Sequence, residues 1–78
     1  MGKIRIFYYG FLIEIAGKTH EEVVYEDKTP RRVEDVLDPR VVQYLDRIII
    51  LVNNVSVRPG HVVGDGDEIK VLPHIGGG

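Results

Sequence analysis

The chain has 78 residues, a formal charge of −2 and no cysteine, so it is long enough for one small domain and lacks disulfides, thiolate metal sites and cysteine nucleophiles. No stretch approaches the about 20 apolar residues of a membrane span, and the N-terminus lacks the layout of a signal peptide. Acidic and basic residues are interspersed, and no basic stripe indicates nucleic-acid binding. We expect a soluble, cytoplasmic protein that binds neither nucleic acid nor a membrane, and whose partners are other proteins.

The N-terminal third predicts two antiparallel strands joined by a short helical turn. Residues 3–9 alternate, with Ile4, Ile6 and Tyr8 on one face and Arg5, Phe7 and Tyr9 on the other. Gly10 ends this strand, and a helical piece that Gly17 closes follows it. Residues 20–26 mix β-branched and aromatic residues with polar ones, which favours an antiparallel partner strand.

The middle of the chain predicts two short helices in succession. Thr29 and Pro30 form a helix start, in which threonine caps free amides and proline takes the first helical position. Asp38 and Pro39 repeat the signal while one apolar stripe continues. We prefer two helices to one kinked helix, because a proline inside a helix costs about 3 kcal/mol.

The C-terminal part predicts three strands. Ile48–Val52 is an unbroken apolar run, residues 55–58 form a short edge strand, and a turn at Asp65 and Gly66 precedes a strand over residues 68–72. The fold class is then α+β, with a mixed sheet of about five strands and a helix, possibly broken, on one face. A right-handed crossover places strand one beside the last strand at the centre. The predicted core is Ile4, Ile6, Tyr8, Val33, Val36, Leu37, Val41, Leu45, Ile49, Leu51, Ile69 and Val71.

Two features indicate function. Phe7, Tyr9 and Leu72 fall on the sheet face that the helix cannot cover, and such an apolar patch is typical of a protein interface. Residues 76–78 are all glycine, so we divide the chain into a domain over residues 1–75 and a flexible tail over residues 76–78. A tail without side chains suits insertion of a terminal carboxylate into a narrow channel.

The whole chain resembles the ubiquitin-like β-grasp sulfur carriers of the MoaD/ThiS family, and most of all the small subunits of molybdopterin synthase. The first segment that carries the resemblance is IFYYGFLIEIAG, with Glu14 and Gly17 at family positions. The second is VNNVSV followed by GDGDEIKVLPHIGGG, where the acidic turn, Pro73 and the final glycines match. Ile13, Leu72, His74 and Gly76 depart from the usual pattern.

The resemblance implies a mechanism and a set of partners. An E1-like adenylating enzyme would use ATP to convert the Gly78 carboxylate to an acyl-adenylate, and a sulfur donor would turn that into a covalent thiocarboxylate, with no cofactor bound stably. The large subunit of molybdopterin synthase would receive the tail within a heterotetramer, and the sulfur would enter the molybdenum or tungsten cofactor. Gly78 would carry the chemistry, His74, Ile75, Gly76 and Gly77 would enter the partner, and Phe7, Tyr9, Leu72 and Pro73 would form the interface.

Other functions stay open at this point. The same fold and tail would serve a carrier for thiamine synthesis or tRNA thiolation, a ubiquitin-like modifier joined to lysines through Gly78, or an interaction domain with an inert tail. We do not expect an enzyme, because His20, His61 and His74 are isolated and show no ligand spacing. Turn chemistry explains the acidic cluster around Asp67 better than a metal site does.

Overall fold

The computed structural model describes residues 1–74. These residues fold into seven strands, three short helices and one 3₁₀ turn. The strands are β1 (Gly2–Tyr8), β2 (His20–Tyr25), β3 (Arg31–Arg32), β4 (Ile48–Val52), β5 (Val55–Val57), β6 (Val62–Val63) and β7 (Glu68–Pro73). The helices are α1 (Leu12–Ala16), α2 (Val33–Val36) and α3 (Pro39–Val42), and the 3₁₀ turn spans Leu45–Arg47.

The main sheet has five strands in the order β2-β1-β7-β4-β5, and it is mixed as predicted. Strands β1 and β7 run parallel at its centre, with Tyr8 opposite Val71, and the other neighbouring pairs are antiparallel. The predicted crossover, which brings the first strand beside the last, is therefore confirmed. This topology is that of a ubiquitin-like β-grasp.

The core fills one face of this sheet, under the helices. It is made of alternate residues of β1 and β7 together with apolar residues of the helices, and its buried members are Ile4, Ile6, Tyr8, Leu12, Ala16, Val33, Val36, Leu37, Val41, Ile50, Val52, Val63, Ile69 and Val71. The predicted core was wrong in β4, where Ile50 and Val52 are buried and Ile49 and Leu51 are half-buried, and Leu45 is half-buried and packs against the core. Pairing with β7 sets Ile50 opposite Val71, and directly opposed residues share a face.

The helical region confirms one predicted start and corrects the other. Asp38 caps α3, since its carboxylate accepts a hydrogen bond from the N–H of Arg40, and Pro39 is the first helical residue. No helix begins at Thr29 and Pro30. The two residues that follow them form β3, which pairs with β6 in a second, two-stranded sheet, and α2 begins only at Val33.

The physical reason for the correction is local. The N–H of Thr29 donates to the carboxylate of Asp27 at 3.0 Å, so Thr29 lies in a turn and does not cap a helix. The guanidinium of Arg31 lies 3.5 Å above the ring of Tyr25. The N–H of Val33 donates to the carbonyl of His61 at 2.8 Å, which satisfies the first turn of α2 from outside the helix.

Candidate functional site

The last described residues leave the sheet from its centre. Leu72 lies opposite Ile49 and Pro73 opposite Ile48, so β7 stays paired with β4 to its end. The N–H of His74 then donates to the carbonyl of Arg47 at 2.9 Å. The side chain of His74 is exposed. Whatever follows residue 74 therefore starts from the middle of the sheet, at the carboxyl end of β7.

An apolar patch lies beside this point, on the sheet face turned away from the core. Phe7, Leu72, Ile49 and Leu51 are each half-buried there, and Tyr9, just beyond β1, is 39% exposed. Strand pairing places them on one face: Ile49 lies opposite Leu72, and Phe7 and Leu51 lie opposite Lys70 from its two sides, so this lysine shares the face with them. We call these five residues the apolar patch. Patches of this kind mark protein interfaces more often than chance allows.

Two members of the patch, Ile49 and Leu51, were missed as site residues because the sequence assigned them to the core. The signal that finds them is the strict alternation of β7. Ile69 and Val71 face the core, so the residues of β4 that lie opposite them must do so too. An unbroken apolar run does not by itself indicate which residues of β4 face the core.

The other end of the same face is charged. Arg5 and Glu68 form an ion pair with 3.2 Å between nitrogen and oxygen, and Lys3 lies 3.9 Å from Glu22. Val24, on the same face in the edge strand β2, is 52% exposed. The face is thus divided into a polar half and a largely apolar half, which contains Lys70, and this apolar half adjoins the carboxyl end of β7.

Phe7 connects the two halves. Its ring stacks on the imidazole of His20 with centroids 6.0 Å apart. An open groove beside it is lined by Arg5, His20, Glu21 and Glu22. A second aromatic pair lies on the helical side of the domain, where Phe11 meets Tyr44 edge to face at 5.5 Å.

The acidic turn before β7 is built from hydrogen bonds within the chain. The N–H of Lys3 donates to Asp65 at 2.9 Å and lowers the pKa of that carboxyl. Asp67 accepts from the N–H of Gly64 at 2.8 Å and from the side-chain amide of Asn53 at 2.9 Å. Among residues 1–74, no three His, Cys, Asp or Glu side chains come together as a metal site. This region is turn chemistry that fixes the start of β7.

The structure brings together only some of the predicted site residues. Phe7, Tyr9, Leu72 and Pro73 lie at one end of the sheet, and His74 follows them directly. Ile75, Gly76, Gly77 and Gly78, predicted to enter a partner and carry the reacting carboxylate, fall outside the described residues. Within residues 1–74, no helix has the length and apolarity to cross a membrane.

Comparison with protein families finds a match over most of the chain. The model of the ThiS family matches residues 6–78. A molybdopterin synthase sulfur carrier subunit from Mycobacterium tuberculosis is 31% identical over an alignment of 85 residues that covers the whole of both chains.

Solved structures with the same fold include two with archaeal sources. SAMP1 from Haloferax volcanii superimposes with a TM-score of 0.74 at 24% identity, over 99% of this chain and 100% of that one. A Pyrococcus furiosus protein assigned as molybdopterin converting factor subunit 1 gives a TM-score of 0.71 at 21% identity, over 96% and 100%. At these identities the likeness concerns the fold alone.

Proposed function

The chain belongs to the ThiS/MoaD family of sulfur carriers, and we propose that it serves as the small subunit of molybdopterin synthase. The observation that carries this choice within the family is the full-length match to a carrier subunit of that enzyme in Mycobacterium tuberculosis. The relatives are small carriers and subunits, so the chain is a carrier whose partners perform the catalysis. It holds no cofactor stably and works in the cytoplasm, where its activating enzyme finds ATP.

The carrier's chemistry takes place at the carboxylate of Gly78. This carboxylate attacks the α-phosphorus of ATP on an E1-like adenylating enzyme, which releases pyrophosphate and leaves an acyl-adenylate. A donor at the oxidation level of sulfide then attacks the carbonyl carbon and expels AMP, so one oxygen is exchanged for sulfur without net oxidation. Activation is needed because a carboxylate is a poor electrophile until it carries a good leaving group, and the resulting thiocarboxylate is a nucleophile at neutral pH.

Sulfur delivery requires a docking surface near the chain end, and the apolar patch supplies it. The large subunit of the synthase binds the patch and takes up residues 74–78. The thiocarboxylate sulfur then displaces an oxygen substituent at a carbon of a pterin substrate, and water cleaves the bond between that sulfur and the Gly78 carbonyl carbon, which restores the carboxylate. The adenylating enzyme binds the same side of the domain in an earlier step, since both partners must reach the same carboxylate. The division of the face supports this proposal, because the half that adjoins β7's carboxyl end is the apolar one.

Intact-mass spectrometry tests the proposal directly. The protein is incubated with ATP, sulfide and a cognate adenylating enzyme that has been shown active on a second carrier. We expect a gain of about 16 Da, the mass of an oxygen-to-sulfur exchange at the carboxylate, and no gain in a variant that lacks Gly77 and Gly78. The sulfur of the loaded protein should then appear in the pterin product when the large subunit is added.

Two results would contradict the proposal. An unchanged mass with an active enzyme would exclude a sulfur carrier activated by that route. Attachment of Gly78 to lysines of other proteins, with no sulfur gained, would instead support the modifier function that the sequence leaves open. The likeness to SAMP1 does not decide between them, because at 24% identity it concerns only the fold.

A further inference from the structure

Gly10 touches the end of the last strand from the loop between β1 and α1. A Cβ placed on Gly10 would lie 2.6 Å from Cγ of Pro73 and 3.2 Å from its Cδ. Real Cβ atoms do not approach other atoms as closely as 2.6 Å, so the ring of Pro73 occupies the space that a side chain at residue 10 would take. The backbone φ of Gly10 is 60°, which other residues adopt only with strain.

Among the described glycines with positive φ, Gly10 alone has such a close neighbour; Gly2, where a Cβ would lie 2.8 Å from the carbonyl oxygen of Asp27, does not have positive φ. Gly17, Gly60 and Gly66 also have positive φ, but a Cβ on Gly17 would come no nearer than 3.8 Å to the guanidinium of Arg40, and one on Gly60 or Gly66 would meet nothing within 4 Å. Those three glycines are explained by turn geometry alone. Gly10 has a second requirement, the close approach of Pro73.

The opposite side of Pro73 is also held. Pro73 lies opposite Ile48, and the next residue, His74, donates its N–H to the carbonyl of Arg47 at 2.9 Å. On the side of β1, the ladder reaches as far as the N–H of Tyr9, which donates to the carbonyl of Val71 at 3.1 Å. Proline has no N–H with which to extend that ladder. At residue 73 the contact on this side is instead the packing of the proline ring against Gly10.

We propose that Gly10 is a positioning residue that, through Pro73, sets the direction in which the chain leaves the sheet at residue 74. This proposal rests on the proposed function, since direction matters only if the chain end must reach a reacting centre. A misplacement of about 1 Å can cost about a hundredfold in rate when a reacting group must be held in a near-attack geometry. Gly10 contributes no side chain to the patch, so a change at residue 10 should affect turnover more than binding.

A graded series of variants tests the proposal. Gly10→Ala adds one carbon, from which the ring of Pro73 must move away. Gly10→Val adds two further methyl groups on that carbon. Gly60→Val is the matched control, because it places the same side chain at positive φ with no neighbouring atom to displace. The double variant Gly10→Ala/Pro73→Ala removes the ring atoms that the new carbon would meet, while the Cβ of residue 73, at 3.9 Å, stays in ordinary contact.

The first measurement is structural and needs no partner. We expect the amide of His74 to change its chemical shift and to exchange with solvent faster in the order wild type, Gly10→Ala, Gly10→Val. Gly60→Val should leave that amide unchanged, and the double variant should return it toward the wild-type exchange rate. If Gly10→Val does not fold, Gly10→Ala and the double variant still decide the question.

The second measurement is the rate of adenylation. For Gly10→Val we expect kcat to fall by about ten- to a hundredfold while KM for the carrier stays within about threefold, since every side chain of the docking patch is retained. A His74 amide that is unmoved in both Gly10 variants, or a wild-type kcat in a variant whose His74 amide has moved, would overturn the proposal. If the wild type itself is never loaded, the proposed function fails, and the exchange data alone then support or overturn the role of Gly10.

Discussion

Tyr8 donates a hydrogen bond from its hydroxyl to Oε2 of Glu21, with 2.6 Å between the two oxygens. The same hydroxyl accepts a hydrogen bond from the backbone N–H of Asp38 at 3.1 Å. Burial and the carboxylate of Glu21 raise the pKa of Tyr8 well above its ordinary value, so the hydroxyl stays protonated at neutral pH. One buried side chain of the central sheet thereby joins strands β1 and β2 to the start of α3.

Tyr8→Phe should therefore destabilise the domain. The substitution keeps the ring but leaves the buried N–H of Asp38 and the carboxylate of Glu21 without this partner, which typically costs about 1 to 3 kcal/mol. Urea denaturation at pH 7 measures the loss. Tyr9→Phe is the control, because the exposed Tyr9 should lose less than about 0.5 kcal/mol. Equal stability of the two variants would show that the buried hydroxyl contributes nothing.

Asp38 should make the stability fall in acid. Its carboxylate accepts hydrogen bonds from the backbone N–H of Arg40 at 2.8 Å and from the guanidinium at 3.0 and 3.1 Å, and Lys18 lies 3.5 Å away. Arg40 is the main reason that the pKa of Asp38 is lowered to about 2. Because the folded-state pKa is depressed, the stabilisation is complete above the unfolded pKa of about 3.9 and is lost as the pH falls toward 2.

The check is a comparison with Asp38→Asn over the range from pH 7 to pH 2. The variant should be less stable than the wild type at pH 7, and the difference between the two should shrink below pH 4, where the wild-type carboxylate gains its proton. Asp27, Glu34 and Asp65 also have lowered pKa values, so both proteins will lose some stability in acid. A difference that stays constant down to pH 2 would mean that Asp38 is not the titrating group.

Strand alternation and one of the two proline signals were among the parts of the fold that the sequence could predict. Strands β1 and β7 alternate strictly, so their buried faces follow from the period of two. At Asp38 and Pro39 the aspartate side chain caps the helix and proline takes the first helical position, as the local sequence predicts. These signals depend only on near neighbours in the chain.

The remaining errors concern contacts between distant segments. The run at β4 is apolar on both faces, so only its pairing with β7 decides that Ile50 faces the core and Ile49 faces out. Thr29 and Pro30 have the residue types of a helix start, but the two residues that follow them form strand β3, which pairs with β6. The surface made by Ile49 and Leu51 could not be found before that register was known.

Removal of Gly77 and Gly78 should leave the stability of the domain unchanged. Within residues 1–74, every buried core residue lies between Ile4 and Val71, and the last hydrogen bond of the backbone there is donated by His74. Glycine buries no side chain, so the truncated protein should unfold within about 2 °C of the full chain. Calorimetry measures this, and loading with sulfur, measured on the same sample, should be abolished. A fall of about 5 °C or more would mean that the two glycines stabilise the fold.

Leu72→Asp should weaken partner binding without unfolding the domain. Leu72 lies in the apolar patch opposite Ile49, outside the core, and an uncompensated carboxylate at the centre of a docking surface should raise Kd by at least about tenfold. Val24→Asp is the matched control, because it places the same charge on the polar half of the same face, where Val24 is 52% exposed. Titration calorimetry with the large subunit compares the two. If both variants bind equally well, the patch is not the docking surface; if Leu72→Asp unfolds, its side chain belongs to the core, and Ile49→Asp then decides the interface.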